Sequence, residues 1–272
     1  MKLLKGQIYY PKNRKIEKVK YLTICAHQDD NEIMAIHGIL KGYYSKNSSF
    51  ACVVTTDGGG SARTGEFKDY TDEMMKKVRI EEQKQASEIG RYHSLYLLNY
   101  TSKEVKDNHN IDIVNEYKDI ILELKPEVIY THNILDKHPT HLGVVKKVIQ
   151  AIRLLERKDR PKIVYGCEVW RGLDWVDDDK KIGFDVSRNE RLQKQLLDVF
   201  KSQIAGGKAY TKASIGRRYA NATYFQSHSV DSYKMISYAI DLTPLIKNDG
   251  LSIKEYATSF IDDLYTDVNN NL

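Results

Sequence analysis

Cysteine, proline and tryptophan are scarce in this 272-residue chain, at 3, 5 and 2 copies, and neither sign of charge is in large excess, with 42 basic against 37 acidic residues. Each shortage excludes something. The cysteines, Cys25, Cys52 and Cys167, lack the spacing of a thiolate metal site; odd in number and set in strand-like runs, they read as reduced core thiols. A net charge of only +5, with no long basic block, argues against nucleic acid as the main partner. No apolar run approaches the roughly 18 residues of a membrane span. Met1–Lys20 is lysine-rich and polar and lacks the apolar stretch of a secretory signal, so the expected location is the cytoplasm. What is present, 41% hydrophobic and 29% charged residues, are the proportions of a globular protein large enough to bury a sizeable core.

Short apolar runs at Tyr21–Ala26, Phe50–Thr56, Ser94–Asn99, Val128–Thr131 and Ile163–Val169 read as strands too continuously apolar to be half exposed. Helical patterns over Asn31–Ser45, Thr71–Ile89, Ile111–Leu124 and His141–Glu156 separate them. This βαβα order predicts an α/β, Rossmann-like fold: a mainly parallel sheet flanked by helices on both faces. Beyond Val169 the pattern weakens. A strand at Ile182–Val186 and a helix over Asn189–Ile204 are expected before Gly206-Gly207, then a mostly helical stretch over Tyr210–Tyr265 and a frayed tail at Asn269–Leu272. With no repeat or linker in sight, residues 1–272 read as a single domain, with a core over about 20–170 and a helical C-terminal extension over about 171–272.

Ligands of open parallel sheets bind at the carboxyl ends of the strands. Two strand ends carry dense chemistry. The first runs Ala26-His27-Gln28-Asp29-Asp30-Asn31-Glu32, a histidine and three carboxylates that are costly to pack without a cation or a helix N-terminus. The second runs from Thr131-His132-Asn133 to Asp136-Lys137-His138-Pro139-Thr140-His141, with Gly143 allowing close packing as the next helix begins. Alone, the first could be an N-cap and the second a polar loop. Together, at neighbouring strand ends, they would bring His27, Asp30 and His141 into one site, and two histidines with one carboxylate leave an open position, as in catalytic zinc sites.

These residues resemble the PIG-L/LmbE-like family of metal-dependent N-deacetylases, whose first motif, Ala-His-Pro-Asp-Asp followed by Glu, stands here as Ala26 to Glu32. The second motif, His-Pro-Asp-His, appears as His138-Pro139-Thr140-His141, and Arg79 with Glu82 looks like the family's Arg-x-x-Glu helix. The resemblance covers about residues 20–170. It implies His27, Asp30 and His141 as metal ligands, one divalent ion, zinc or else iron(II), Asp29 as general base, and His138 as the acid or oxyanion partner, an imidazolium able to protonate the departing amine. The implied substrate is an N-acetylated amino sugar, such as an N-acetylglucosamine derivative, or its glycoconjugate. Gln28 in place of Pro alters backbone stiffness only, whereas Thr140 in place of Asp removes a carboxylate beside an imidazole, for which Asp136 is the expected substitute.

The loop Thr56–Gly65 fits neither phosphate-binding glycine pattern and reads as a substrate loop, with Asp57 and Arg63 available to a sugar or polar head group. Arg79 reads as a brace. The stretch Ser202–His228 places Lys208, Arg217, Arg218, Asn221 and His228 among tyrosines, either as a wall of the site, with His228 contributing to it, or as a helix packed on the domain. Trp170 and Trp175 could stack on a sugar or fill the core. Other readings are another metal-dependent amide or phosphoester hydrolase, or a non-catalytic sugar- or nucleotide-binding module on the same fold. The 19 tyrosines are compatible with a homo-oligomer interface.

Overall fold

The computed structural model describes residues 2–226 and 228–272. The elements in chain order are β1 (Gln7–Tyr9), β2 (Val19–Cys25), α1 (Asp30–Met34), α2 (Ile36–Tyr44), β3 (Ser49–Thr56), α3 (Asp72–Ile89), β4 (Leu95–Tyr100), α4 (Ser102–Lys106), α5 (Ile111–Leu124) and β5 (Val128–His132). They continue with α6 (Pro139–Arg153), β6 (Ile163–Cys167), β7 (Lys181–Asp185), α7 (Glu190–Asp198), α8 (Lys201–Ala205), α9 (Tyr210–Thr223), β8 (Ile236–Asp241), α10 (Thr243–Lys247) and α11 (Ile253–Asn271).

All eight strands form one sheet in the order β1-β4-β3-β2-β5-β6-β8-β7. The stretch β4-β3-β2-β5-β6 is parallel, as the strand–helix alternation predicts, and antiparallel strands border it on both sides. The period of two along each strand divides the core. Leu22, Ile24, Ala51 and Val53 pack with α5 and α6 on one face, while Cys25, Cys52 and Val54 pack with α2 on the other. All three cysteines are buried and unpaired, as expected of core thiols. At Gly143 a Cβ would lie 2.6 Å from the Val105 carbonyl oxygen, so only glycine lets α6 approach α4 this closely.

Four expectations need correction. The helix expected over Asn31–Ser45 is divided at Ala35, and the one expected over Asn189–Ile204 is divided before Lys201. The expected helical stretch after Tyr210 contains β8, buried between β6 and β7, which neither helical periodicity nor clean alternation reveals. β1, an edge strand of three residues, is too short to be seen in sequence. The tail is helical as far as Asn271, not frayed from Asn269. Among the described residues no helix is long and apolar enough to cross a membrane.

Candidate metal centre

The connections from β2 and β5 leave the sheet in opposite directions, and these two strands are paired neighbours. This is the topological switch point, where the carboxyl ends of adjacent strands open a crevice. Both motif segments start there. The Ala26 N–H donates to His132 Nε2 at 2.9 Å, and Thr56 on β3 holds the Ala26 carbonyl oxygen through its Oγ1–H and its N–H, each at 2.8 Å.

Asp29 turns the chain from strand into helix with φ at +92°, a conformation costly for a residue with a Cβ. Helix α3 holds it there. Arg79, 1% exposed, donates to the Gln28 carbonyl oxygen and pairs with Asp29 Oδ2 at 3.2 Å, while the Asp29 N–H donates to Gln83 Oε1. Arg79 also pairs with Glu82, whose carboxylate accepts the Ser202 N–H and hydroxyl. The arginine is the expected brace. Gln83 Nε2 in turn donates to the buried Glu32, the last residue of the first motif, so one network sets the whole turn.

His27 Nδ1, Asp30 Oδ2 and His141 Nε2 form a triangle with edges of 3.1, 3.3 and 3.3 Å. A tetrahedral zinc ion with bonds of about 2.0–2.1 Å holds its donors about 3.3–3.4 Å apart, so the three atoms fit such a cation without rearrangement. His141 Nδ1 faces Asp136 Oδ2 at 3.2 Å, which fixes the tautomer that leaves Nε2 free to ligate. Two other groupings of potential ligands share His141: one adds His132 to Asp30, the other His138 to His27. His132 is the weaker candidate, because its Nε2 lone pair already accepts the Ala26 amide. Its ring, buried and stacked on His141 with centroids 3.7 Å apart, instead walls the site on the sheet side.

Electrostatics follow from this crowding. Burial would raise the Asp30 carboxyl, but His141 and His27 hold it well below the ordinary carboxylate range. For His141, burial works against the charge, yet Asp30 and Asp136 prevail and lift its pKa to about 9. Burial raises Asp29 to about 6, with Arg79 opposing. His138 is lowered to about 4, by burial first and then by His141 and His27, and its Nδ1 is buried without a partner. Its imidazole is therefore neutral at pH 7. Of the two roles expected of His138, this favours the oxyanion partner over the acid; Asp136, the expected substitute for the acid that Thr140 replaces, pairs with the ring of the neighbouring His141 and accepts the backbone N–H of His138.

A family described as GlcNAc-PI de-N-acetylase matches residues 22–152, a span that holds the triangle, the strained turn and the bracing helix. This stretch is a PIG-L domain. The chain matches no curated protein. Among solved structures it is similar to the 4-carboxy-2-hydroxymuconate hydratase of Pseudomonas putida, at 16% identity and a TM-score of 0.62 over 83% of this chain and 96% of that one. It is also similar to the N,N′-diacetylchitobiose deacetylase of Pyrococcus horikoshii, at 14% identity and 0.62 over 87% and 88% of the two chains. A zinc-inhibited form of teicoplanin deacetylase follows at 11% identity and 0.59, over 81% and 97%. At such identities the likeness concerns the fold.

Beside the triangle the PIG-L domain opens into a cavity of about 520 Å³, within the range of small-molecule sites. His27, Asp29, Asp30, His138 and Thr140 line it from the domain, and Lys208, Tyr210 and Arg217 from the C-terminal extension. Asp57 lines it too, paired with Lys76. Arg63 does not: it donates to the Gly59 carbonyl oxygen and pairs with Asp72, turned along its own loop. His228 is not brought to the cavity either, because α9 ends at Thr223 and the connection to β8 carries this residue into solvent. Trp170 lines the cavity beside His138, whereas Trp175 packs against the core. The tyrosine-rich stretch realises both of its readings: Arg217 faces the cavity, while Arg218 turns inward and donates to the Glu32 and Ile33 carbonyl oxygens at 2.9 and 3.0 Å. His132 stands in the second motif segment just past the expected strand and carries no expected role there; β5 runs on to His132 and turns its ring into the wall of the site.

Proposed function

We propose that this protein is a metal-dependent hydrolase that removes the acetyl group from an N-acetylated amino sugar or its conjugate. The observation that carries the reading is the triangle of His27, Asp30 and His141 with the Asp29 carboxylate beside it, at the mouth of a cavity large enough for a sugar. The PIG-L domain and the deacetylases among the similar folds support the same reaction class. His27, Asp30 and His141 would hold one divalent cation, zinc or else iron(II). When bound, it supplies a Lewis acid that polarises the amide carbonyl and acidifies a nearby water molecule.

The chain's own residues do the rest. Asp29 Oδ2 is held by Arg79, which leaves Oδ1 to take the proton of the attacking water. With its pKa near 6, the carboxylate is ionised at neutral pH yet basic enough to accept a proton. His138 is uncharged, so it offers a ring N–H to the developing oxyanion and does not store a proton for the leaving group. Asp29 then returns the proton it took to the departing amine nitrogen. Arg79 and Gln83 keep the carboxylate in this strained position through both transfers.

The test is elemental analysis of the purified protein and of His141→Ala, together with acetate release from N-acetylglucosamine derivatives. Close to one metal per chain, lost in His141→Ala, is expected. Asp29→Asn should keep the metal and lower kcat by about 10²–10⁴-fold. Absence of metal in the unaltered protein even after zinc is supplied, or full activity in Asp29→Asn, overturns the proposal.

A further inference from the structure

The cavity has a second wall whose chemistry deacetylation leaves unused. It is built from the extension: Gln203 on α8, Lys208 in the following turn, and Arg217 on α9, opposite Trp170. Two cations line it. Arg217 Nη1 donates to the Val169 carbonyl oxygen at 2.5 Å, and Lys208 Nζ lies 5.3 Å from the centre of the Trp170 ring. Among the described residues, neither cation has a carboxylate oxygen within 4.0 Å. Glu168, the acid that acts on Arg217 from farther off, is buried and commits its oxygens to the Asn221 side chain and to the amides of Tyr238 and Leu173. The Gln203 amide nitrogen is buried and has no acceptor.

The acids of the cavity are, by contrast, matched. Asp29 pairs with Arg79, Asp57 pairs with Lys76, and Asp30 lies among imidazoles. A wall shaped for neutral sugar hydroxyls mixes donors with acceptors, because a hydroxyl is both. The charged groups of this wall are both cations, and with the unpartnered Gln203 amide N–H beside them, and the Tyr210 and Ser214 hydroxyls able to donate as well, the complement is an acceptor-rich anion.

We infer that the substrate carries an anionic substituent, a carboxylate or a phosphate ester, seated on Lys208 and Arg217 with Gln203 Nε2 as a neutral third donor. This deepens the deacetylase reading and, as a statement about substrate, rests on it. Trp170, whose ring lies 6.3 Å from that of His138 at an interplanar angle of 19°, supplies a stacking face between this seat and the reacting centre. The seat lies outside residues 22–152, the span that the family model matches.

Three probes test it on the metal-loaded protein: methyl N-acetylglucosaminide, N-acetylglucosamine 1-phosphate and N-acetylmuramic acid, which are neutral, phosphate-bearing and carboxylate-bearing. Binding is measured by titration calorimetry and turnover by acetate release. At least one anionic probe should bind ten-fold or more tightly than the neutral one. The ratio should fall towards one in 0.5 M salt and in the Lys208→Gln, Arg217→Gln double variant, whose circular dichroism spectrum should be preserved. Whichever anion leads identifies the group. A ratio near one in the unaltered protein, or a preference that survives in the double variant, overturns the inference. Acetate release from every probe at equal rates and affinities would leave the deacetylase reading standing without the anion seat. Selective anion binding with no acetate from any probe would keep the seat and sink the deacetylase.

Discussion

At the residue scale, the balance of charge around His141 decides how the site meets a cation. In the metal-free protein its imidazole holds a proton up to about pH 9, because Asp30 and Asp136 flank it. Ligation through Nε2 must expel that proton. Metal affinity should therefore rise with pH, about ten-fold per unit, until about pH 9, and roughly one proton should leave per ion bound at pH 7; calorimetry in two buffers of different ionisation enthalpy measures this directly. Asp29 shifts the pH dependence in the same direction. It must be ionised to accept a proton, so kcat/KM should rise with pH through a midpoint no higher than about 6, since a bound cation can only lower that value. A midpoint above 7 would assign the base elsewhere. Burial, His141 and His27 lower the His138 pKa, and the buried Thr140 two residues away offers it no carboxylate to oppose them. Thr140→Asp should raise the His138 pKa by about 1–3 units, read from the pH dependence of its ring resonances.

At the scale of elements, the first motif is clamped between two buried arginines that arrive from opposite ends of the chain. Arg79 on α3 holds the entry to α1 at Gln28 and Asp29. Arg218 on α9 takes the carbonyl oxygens of Glu32 and Ile33, which the division at Ala35 leaves without the helical partners they would otherwise have. On the proposed function, the placing of Asp30 would then depend on an arginine that touches none of the three proposed ligands. Arg218→Gln should weaken metal binding by about 10–100-fold while the circular dichroism spectrum is preserved; unchanged affinity would reduce Arg218 to a packing residue. Gly58 makes a similar point at φ +74°, where a Cβ would lie 2.9 Å from Arg79 Cβ and Cγ. The Thr56–Gly65 loop and the bracing arginine are packed too closely for any side chain there.

For the whole molecule, one sheet runs through both the PIG-L domain and the extension. Among the described residues β7 pairs only with β8, and β8 pairs with β6, so residues late in the chain complete a sheet begun at its start. A chain ending at Ala205 would leave β7 without its partner and β6 with an open edge, and would remove Arg218 and the cation-lined wall. It should lose its near-ultraviolet circular dichroism and any cooperative thermal transition. A sharp transition in that truncated chain would show the PIG-L domain to be independent.

The sequence by itself determined the parallel core and the two strand ends that carry the chemistry. Continuous β-branched runs between amphipathic helices permit few other arrangements, and a histidine followed by adjacent acids has few uses at such a place. Only the tertiary structure decided which residues serve which. β8 escaped notice because a strand buried between two others is specified by its neighbours more than by its own pattern. Likewise, the assignment of Asp136 to His141, the neutrality of His138 and the inward turn of Arg218 depend on which groups face one another across the fold. Separation along the chain does not encode that, because charge and burial act through space.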